Sequence, residues 1–187
     1  MNQECKELIK KDLSRIYEGP LSIKQRFFLP PEVKYLILWR KASYYRRRTG
    51  LLRLIYGLQL MHVSAKTQIN IPSEVNIGPG LYLGHLGRII IHPDAVLGFN
   101  VNLSTGITIG QINRGSKKGT PVIGNQVWIG TNAVIVGNIT IGDDVMIAPG
   151  AYVTTDVPAH SIVIGNPAVI RHRDNATEGY INRPVAL

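Results

Sequence analysis

"IGNQVWIGTNAVIVGNITIGDDVMIAPGAYV", residues 123–153, carries an aliphatic residue at every sixth position: Ile123, Ile129, Ile135, Ile141, Ile147 and Val153. A second small or apolar set, Val127, Ala133, Ile139, Val145 and Ala151, runs in phase with it. A helix repeats every 3.6 residues and a strand every 2, so neither explains the run. A hexapeptide solenoid does. Each hexapeptide supplies a short strand and a corner, the aliphatic side chain fills a narrow interior, and the glycines that follow, as in Ile123-Gly124 and Ile141-Gly142, are expected to let the backbone turn.

The same phase extends upstream through Ile71, Ile77 and Leu83, then Ile91, Leu97, Leu103 and Ile109. Three hexapeptides complete one coil, so these thirteen positions predict about four coils of a parallel β-helix, with partial coils flanking. The beat fails twice. Leu83 to Ile91 is a step of eight, within "LYLGHLGRIII", and Ile109 to Ile123 is a step of fourteen, leaving "QINRGSKKGTP" as an extruded loop over 111–121. Breaks in a strict repeat are where a site is built.

His85 lies in the first break, between Gly84 and Gly87. A neutral imidazole can take a proton from a hydroxyl near neutral pH. The competing reading is a histidine that hydrogen-bonds a corner carbonyl. His92, His160, His62 and His172 have weaker settings and read as structural or exposed, and Cys5 is far in sequence from any constellation.

Before the repeats the pattern is helical. Apolar residues at helical spacing predict helices over 3–17, 32–48 and 51–63, within an α-helical segment 1–66 that precedes a β-helix domain over 67–172 and a tail over 173–187. Dense runs such as "YLILW" and "LLRLIYGLQL" require packing against the chain, a sister subunit or a membrane surface. The net charge of +9 is mostly N-terminal: no acid occurs from Val33 to Ser73, where Lys34, Arg40, Lys41, Arg46, Arg47, Arg48, Arg53 and Lys66 stand. Such a run is a solvated face, a contact with acidic neighbours, or an approach to an anionic membrane. A single cysteine, and a charged opening "MNQECKELIKKDL" where a secretory leader would be apolar, predict a cytoplasmic protein, placed at the inner face of the membrane if the basic helices touch lipid. The basic run shows no nucleic-acid motif and the repeats offer no aromatic platform, so no nucleic-acid partner is expected.

The repeats, "LYLGHLGRIII", "TIGQINRGSKKGTPVIG" and "VPAHSIVIGNPAVI" together resemble the hexapeptide-repeat acyltransferases, and within them the serine acetyltransferase-like and polysaccharide O-acetyltransferase branch, over roughly residues 60–172. The resemblance implies a left-handed parallel β-helix of hexapeptide repeats behind an α-helical N-terminal segment, a homotrimer, and acetyl-CoA as donor without a metal. It assigns the catalytic base to His85, which would deprotonate an acceptor hydroxyl for direct attack on the thioester, and has the later loop close over the donor. For donor binding it implies Gly110, Thr131, Pro149 and Asn166, and Lys117, Lys118 and Arg171 suit its phosphates. Asn70, Gly84 and Thr120 occupy positions where serine acetyltransferases carry an aspartate, an aspartate and a second histidine that orient the base or hold the amino acid. Their loss of charge favours a sugar or polysaccharide hydroxyl as acceptor, with L-serine as the alternative. Two readings from other classes stay open. A γ-type carbonic anhydrase needs three histidines on zinc, whereas the repeats offer His85 and His92 without a close pair. A non-catalytic solenoid would make the break at His85 incidental.

Overall fold

The computed structural model describes residues 3–22, 24–25, 28–48 and 50–186, so the remaining positions of the predicted N-terminal segment and tail lie outside the described residues. Among the described residues three long helices come first: α1 (Gln3–Ser14), α2 (Pro31–Arg46) and α3 (Leu51–Thr67). The chain then winds as a three-sided solenoid. One sheet stacks β1 (Ile69–Asn70), β4 (Ile89–Ile91), β7 (Thr108–Gly110), β10 (Val134–Val136) and β13 (Tyr152–Val153). The second stacks β2 (Asn76–Ile77), β5 (Val96–Leu97), β8 (Val122–Ile123) and β11 (Thr140–Ile141). The third stacks β3 (Tyr82–Leu83), β6 (Asn102–Leu103), β9 (Val127–Ile129), β12 (Val145–Ile147) and β14 (Ser161–Ile164), and closes with the antiparallel β15 (Val169–His172).

The register explains the beat. Ile91 pairs with Ile109, Ile109 with Ile135 and Ile135 with Val153, so every in-phase aliphatic stacks on its counterpart one coil away. All thirteen are buried. An undisturbed coil takes 18 residues, as from Ile129 to Ile147; the coil holding His85 takes 20, from Leu83 to Leu103; the coil holding the extruded loop takes 26, from Leu103 to Ile129. Both insertions therefore leave the interior undisturbed. The sheets reach about five coils, one more than the aliphatic positions predict.

The glycines act differently from expectation. Gly78, Gly98 and Gly124 form a ladder along one corner, where an added Cβ on each would meet the backbone of the next coil at 2.8, 2.6 and 2.8 Å. None of the three needs a left-handed backbone. They are small because adjacent coils touch there, and the corner turns without their conformational freedom.

Helix α2 closes the open end of the solenoid. Its Tyr35 hydroxyl donates to Ile71 O at 3.3 Å and accepts from Ile71 N–H at 3.1 Å, and Trp39 Nε1 donates to Pro72 O at 3.2 Å. These groups satisfy edge backbone that stacking leaves bare. Helix α1 is tied in by a buried ion pair. Asp12 receives two hydrogen bonds from Arg40, at 2.7 and 3.0 Å, and also accepts from Gly80 N–H and Leu81 N–H. On α3, Leu51, Leu54, Leu58 and Met61 stay exposed along one face. Among the described residues no helix is long and apolar enough to cross a membrane.

After β15 the chain returns over the third sheet. Asp144 anchors it by accepting from Ala176 N–H, Thr177 N–H and the Thr177 hydroxyl. Further along, Asn102 donates to Tyr180 O, and Asn100 exchanges two hydrogen bonds with Val185.

Candidate active site

The widened corner joins β3 to β4. Gly87 has φ +136°, and a Cβ there would collide with the Thr105 hydroxyl of the next coil. That position requires glycine. Gly84 differs: its Cβ would meet Leu103 O at 3.7 Å, an ordinary contact. Arg88 O accepts from Gly106 N–H at 2.6 Å, which rejoins the chain to the regular stack. The two extra residues are thereby pushed outward and His85 stands exposed, making no hydrogen bond among the described residues. This disposes of the corner-carbonyl reading within the single chain.

His85 borders a cavity of about 260 Å³. Its floor is third-sheet surface, with Tyr82, Asn102 and Trp128. The walls come from the two ends of the chain: Arg15 follows α1, and Tyr180 and Asn182 belong to the returning tail. The Tyr180 ring leans on Trp128 at 4.8 Å between centroids. An accessible imidazole beside a partly enclosed, aromatic-walled space can take a proton from a bound hydroxyl.

The remaining sequence-predicted residues divide between two edges. The corner after the third sheet carries His85, then Ser104 on the next coil, and Thr131, Pro149 and Asn166 on the three that follow, with Gly150 N–H donating to Thr131 O at 2.8 Å. These five form one edge. Gly110, Lys117, Lys118 and Thr120 lie on the edge between the first and second sheets, where Ile112 and Gly119 pair across the base of the loop. Lys117 Nζ is 3.1 Å from Asp156, and Thr120 donates to Asp94 O at 3.2 Å. Within a single chain the extruded loop therefore does not approach His85. Asn70 is on β1, and Arg171 is on β15 opposite Ile162. His92 lies on the loop's edge and accepts from Asp94 N–H, so it does not join His85. Among the described residues no three histidine, cysteine or acidic side chains come together as a metal site.

Sequence reasoning passed over Arg15, Tyr82, Asn102, Ser104, Trp128, Tyr180 and Asn182, all of which line the cavity. Their positions follow no period. Trp128 alone gave a cue, as one of two tryptophans in a chain poor in aromatics.

The comparisons with known proteins agree with this fold. The bacterial transferase hexapeptide family (six repeats) matches residues 120–155. A serine acetyltransferase of Helicobacter pylori is 31% identical over 142 residues, which cover 75% of this chain and 81% of that protein. Serine acetyltransferase 2 of Arabidopsis thaliana is 39% identical over 100 residues, 54% of this chain, and the chain spans only 31% of that plant relative's length. Among solved structures, a serine acetyltransferase from Brucella abortus in complex with coenzyme A superposes with a TM-score of 0.77 at 28% identity, covering 92% of this chain and 70% of the other. With the six-residue register and these relatives in agreement, the chain belongs to the hexapeptide-repeat serine acetyltransferase family.

Proposed function

We propose that the protein is an acetyl-CoA-dependent O-acetyltransferase in which His85 is the general base and L-serine the acceptor. The observation that carries the reaction is the exposed, unengaged imidazole at the widened corner of a cavity. The acceptor hydroxyl gives its proton to the imidazole as its oxygen attacks the thioester carbonyl. Collapse of the tetrahedral adduct breaks the C–S bond, and the imidazolium returns the proton to the departing thiolate. The sugar acceptor expected from the loss of charge at Asn70, Gly84 and Thr120 finds no support among the relatives, which are serine acetyltransferases.

The donor fits the His85 edge, with Thr131, Pro149 and Asn166 on successive corners. A homotrimer extends this reading: it would set the Lys117, Lys118 and Thr120 edge of one subunit against the His85 edge of its neighbour, which one chain cannot do. Light scattering tests the trimer directly. The exposed apolar face of α3, within an acid-free basic stretch, supports peripheral contact with an anionic membrane. Co-sedimentation with anionic but not neutral vesicles checks it.

The reaction is tested by thiol release from acetyl-CoA with wild type and His85→Ala, against L-serine and a panel of sugars. Release that requires L-serine and falls by about 10²- to 10⁴-fold in the variant is expected. Release with sugars alone would replace the acceptor, and equal release by the variant would remove His85 as base.

A further inference from the structure

Two arginines are buried to the same extent, each 4% exposed, and their surroundings differ. Arg40 has a carboxylate, Asp12, at 2.7 Å. Arg15 has none within ion-pair distance among the described residues. Its Nε donates to Asn182 O at 2.9 Å, Nη1 to Gly80 O at 2.8 Å and Nη2 to Asn102 Oδ1 at 2.8 Å, all neutral acceptors. Asp12, whose charge acts on Arg15, is already held by Arg40 and two backbone amides.

A guanidinium carries five N–H groups in a planar fork, so three bonds leave two donors over. Burial pulls Arg15 down to about 10, with Tyr82 and Asp12 opposing, so it stays charged at neutral pH. A buried charge without a counter-ion is costly unless something supplies one. Arg15 also lines the cavity that holds His85, and among the described residues it is the only arginine, lysine or acid on that wall. The Tyr82 ring lies beneath it, 5.8 Å from centroid to Cζ, and limits how it can move.

We propose that Arg15 is an anion receptor in the acceptor cavity, recognising a carboxylate on the molecule whose hydroxyl is acetylated. The proposal rests on the reading of this cavity as the acceptor site. It assigns the residue that makes the carboxylate a requirement: a hydroxyl is not enough, and the guanidinium fork of Arg15 binds the acceptor's carboxylate through its two spare donors. The carboxylate can belong to a hydroxy amino acid or to a sugar acid, and the ligands below separate them.

The test is calorimetric titration of the full chain, without donor, using L-serine, L-serinamide, D-glucuronate and D-glucose. L-Serine is expected to bind about 10- to 100-fold more tightly than L-serinamide, the range of a charge-assisted hydrogen-bonded pair. Arg15→Gln should erase that difference, and Arg15→Lys, which keeps the charge and loses the fork, should retain part of it. Thermal melts establish that both variants are folded. If Arg15→Gln does not fold, the comparison of acid with amide in wild type and Arg15→Lys decides. Glucuronate preferred over glucose, with L-serine unbound, upholds the carboxylate receptor and assigns it to a sugar acid. Equal affinity for charged and neutral ligands, a preference that survives in folded Arg15→Gln, or no binding of any of the four overturns the proposal. Failure of the reaction itself reads differently: carboxylate-dependent binding without thiol release removes the acetyltransferase and keeps the receptor, whereas efficient transfer to neutral acceptors does the reverse.

Discussion

The chain breaks its six-residue beat twice, and the two breaks are fixed by different means. At 84–88 the corner gains two residues and is held from beneath, by Gly87 pressed on Thr105 and by the buried Asp12, which grips the Gly80 and Leu81 amides at the start of the same coil. At 111–121 the loop gains eight and is held at the surface, by the Ile112–Gly119 bridge and the Lys117–Asp156 pair. Side chains bound to buried backbone lose water when they dock, so removing one leaves uncompensated charge; surface pairs exchange one solvated state for another. The small insertion is thus rigid at its base and carries a free imidazole, while the large one is anchored lightly.

The comparison can be broken most directly at Asp12. Asp12→Ala leaves Arg40 and two amides without their acceptor, and should cost about 3–5 kcal/mol in denaturant unfolding. A much smaller loss would mean that the cap does not support the His85 corner. Next come the flanking glycines. Gly87→Ala should cost about 1–3 kcal/mol because it adds a side chain at a left-handed position against Thr105, while Gly84→Ala stays within about 0.5 kcal/mol. Equal losses would show that the corner is not strained where Gly87 meets Thr105.

Acid sharpens the contrast at the tail that walls the cavity. Burial pushes Asp144 up, but hydrogen bonds from Thr177, His160 and Ala176 outweigh it and hold the carboxyl below its ordinary value. Because the folded value is the lower one, tail docking is fully supported above the unfolded value of about 3.9 and is lost as pH falls through the folded one. Trp128 fluorescence, quenched or shifted by Tyr180, should change in that window before the solenoid melts. No change in that window would show that Asp144 does not hold the tail. The smallest effect belongs to the loop: Lys117→Ala should leave the melting temperature unchanged, since its partner is exposed, and raise the KM for acetyl-CoA if the loop reaches a neighbouring subunit's donor.

His85 was legible because it falls where a period fails, and Thr131, Pro149 and Asn166 share its edge because corners recur with the coil. The helices were legible in kind, and their ends moved by a few residues because propensity blurs at termini. The role given to the glycines was not legible, since close approach between coils and a free backbone select the same residue.

By itself the sequence determined the β-helix, its interior and the place where it would be interrupted. A repeat writes the same local requirement many times, and each copy is satisfied by its immediate neighbours. The tertiary structure alone decided what surrounds the histidine. Arg15 meets Asn102 across 87 residues and Asn182 across 167, contacts between single polar groups that no repeat specifies. Only the folded coils, with both ends of the chain laid over the third sheet, bring those groups to one cavity.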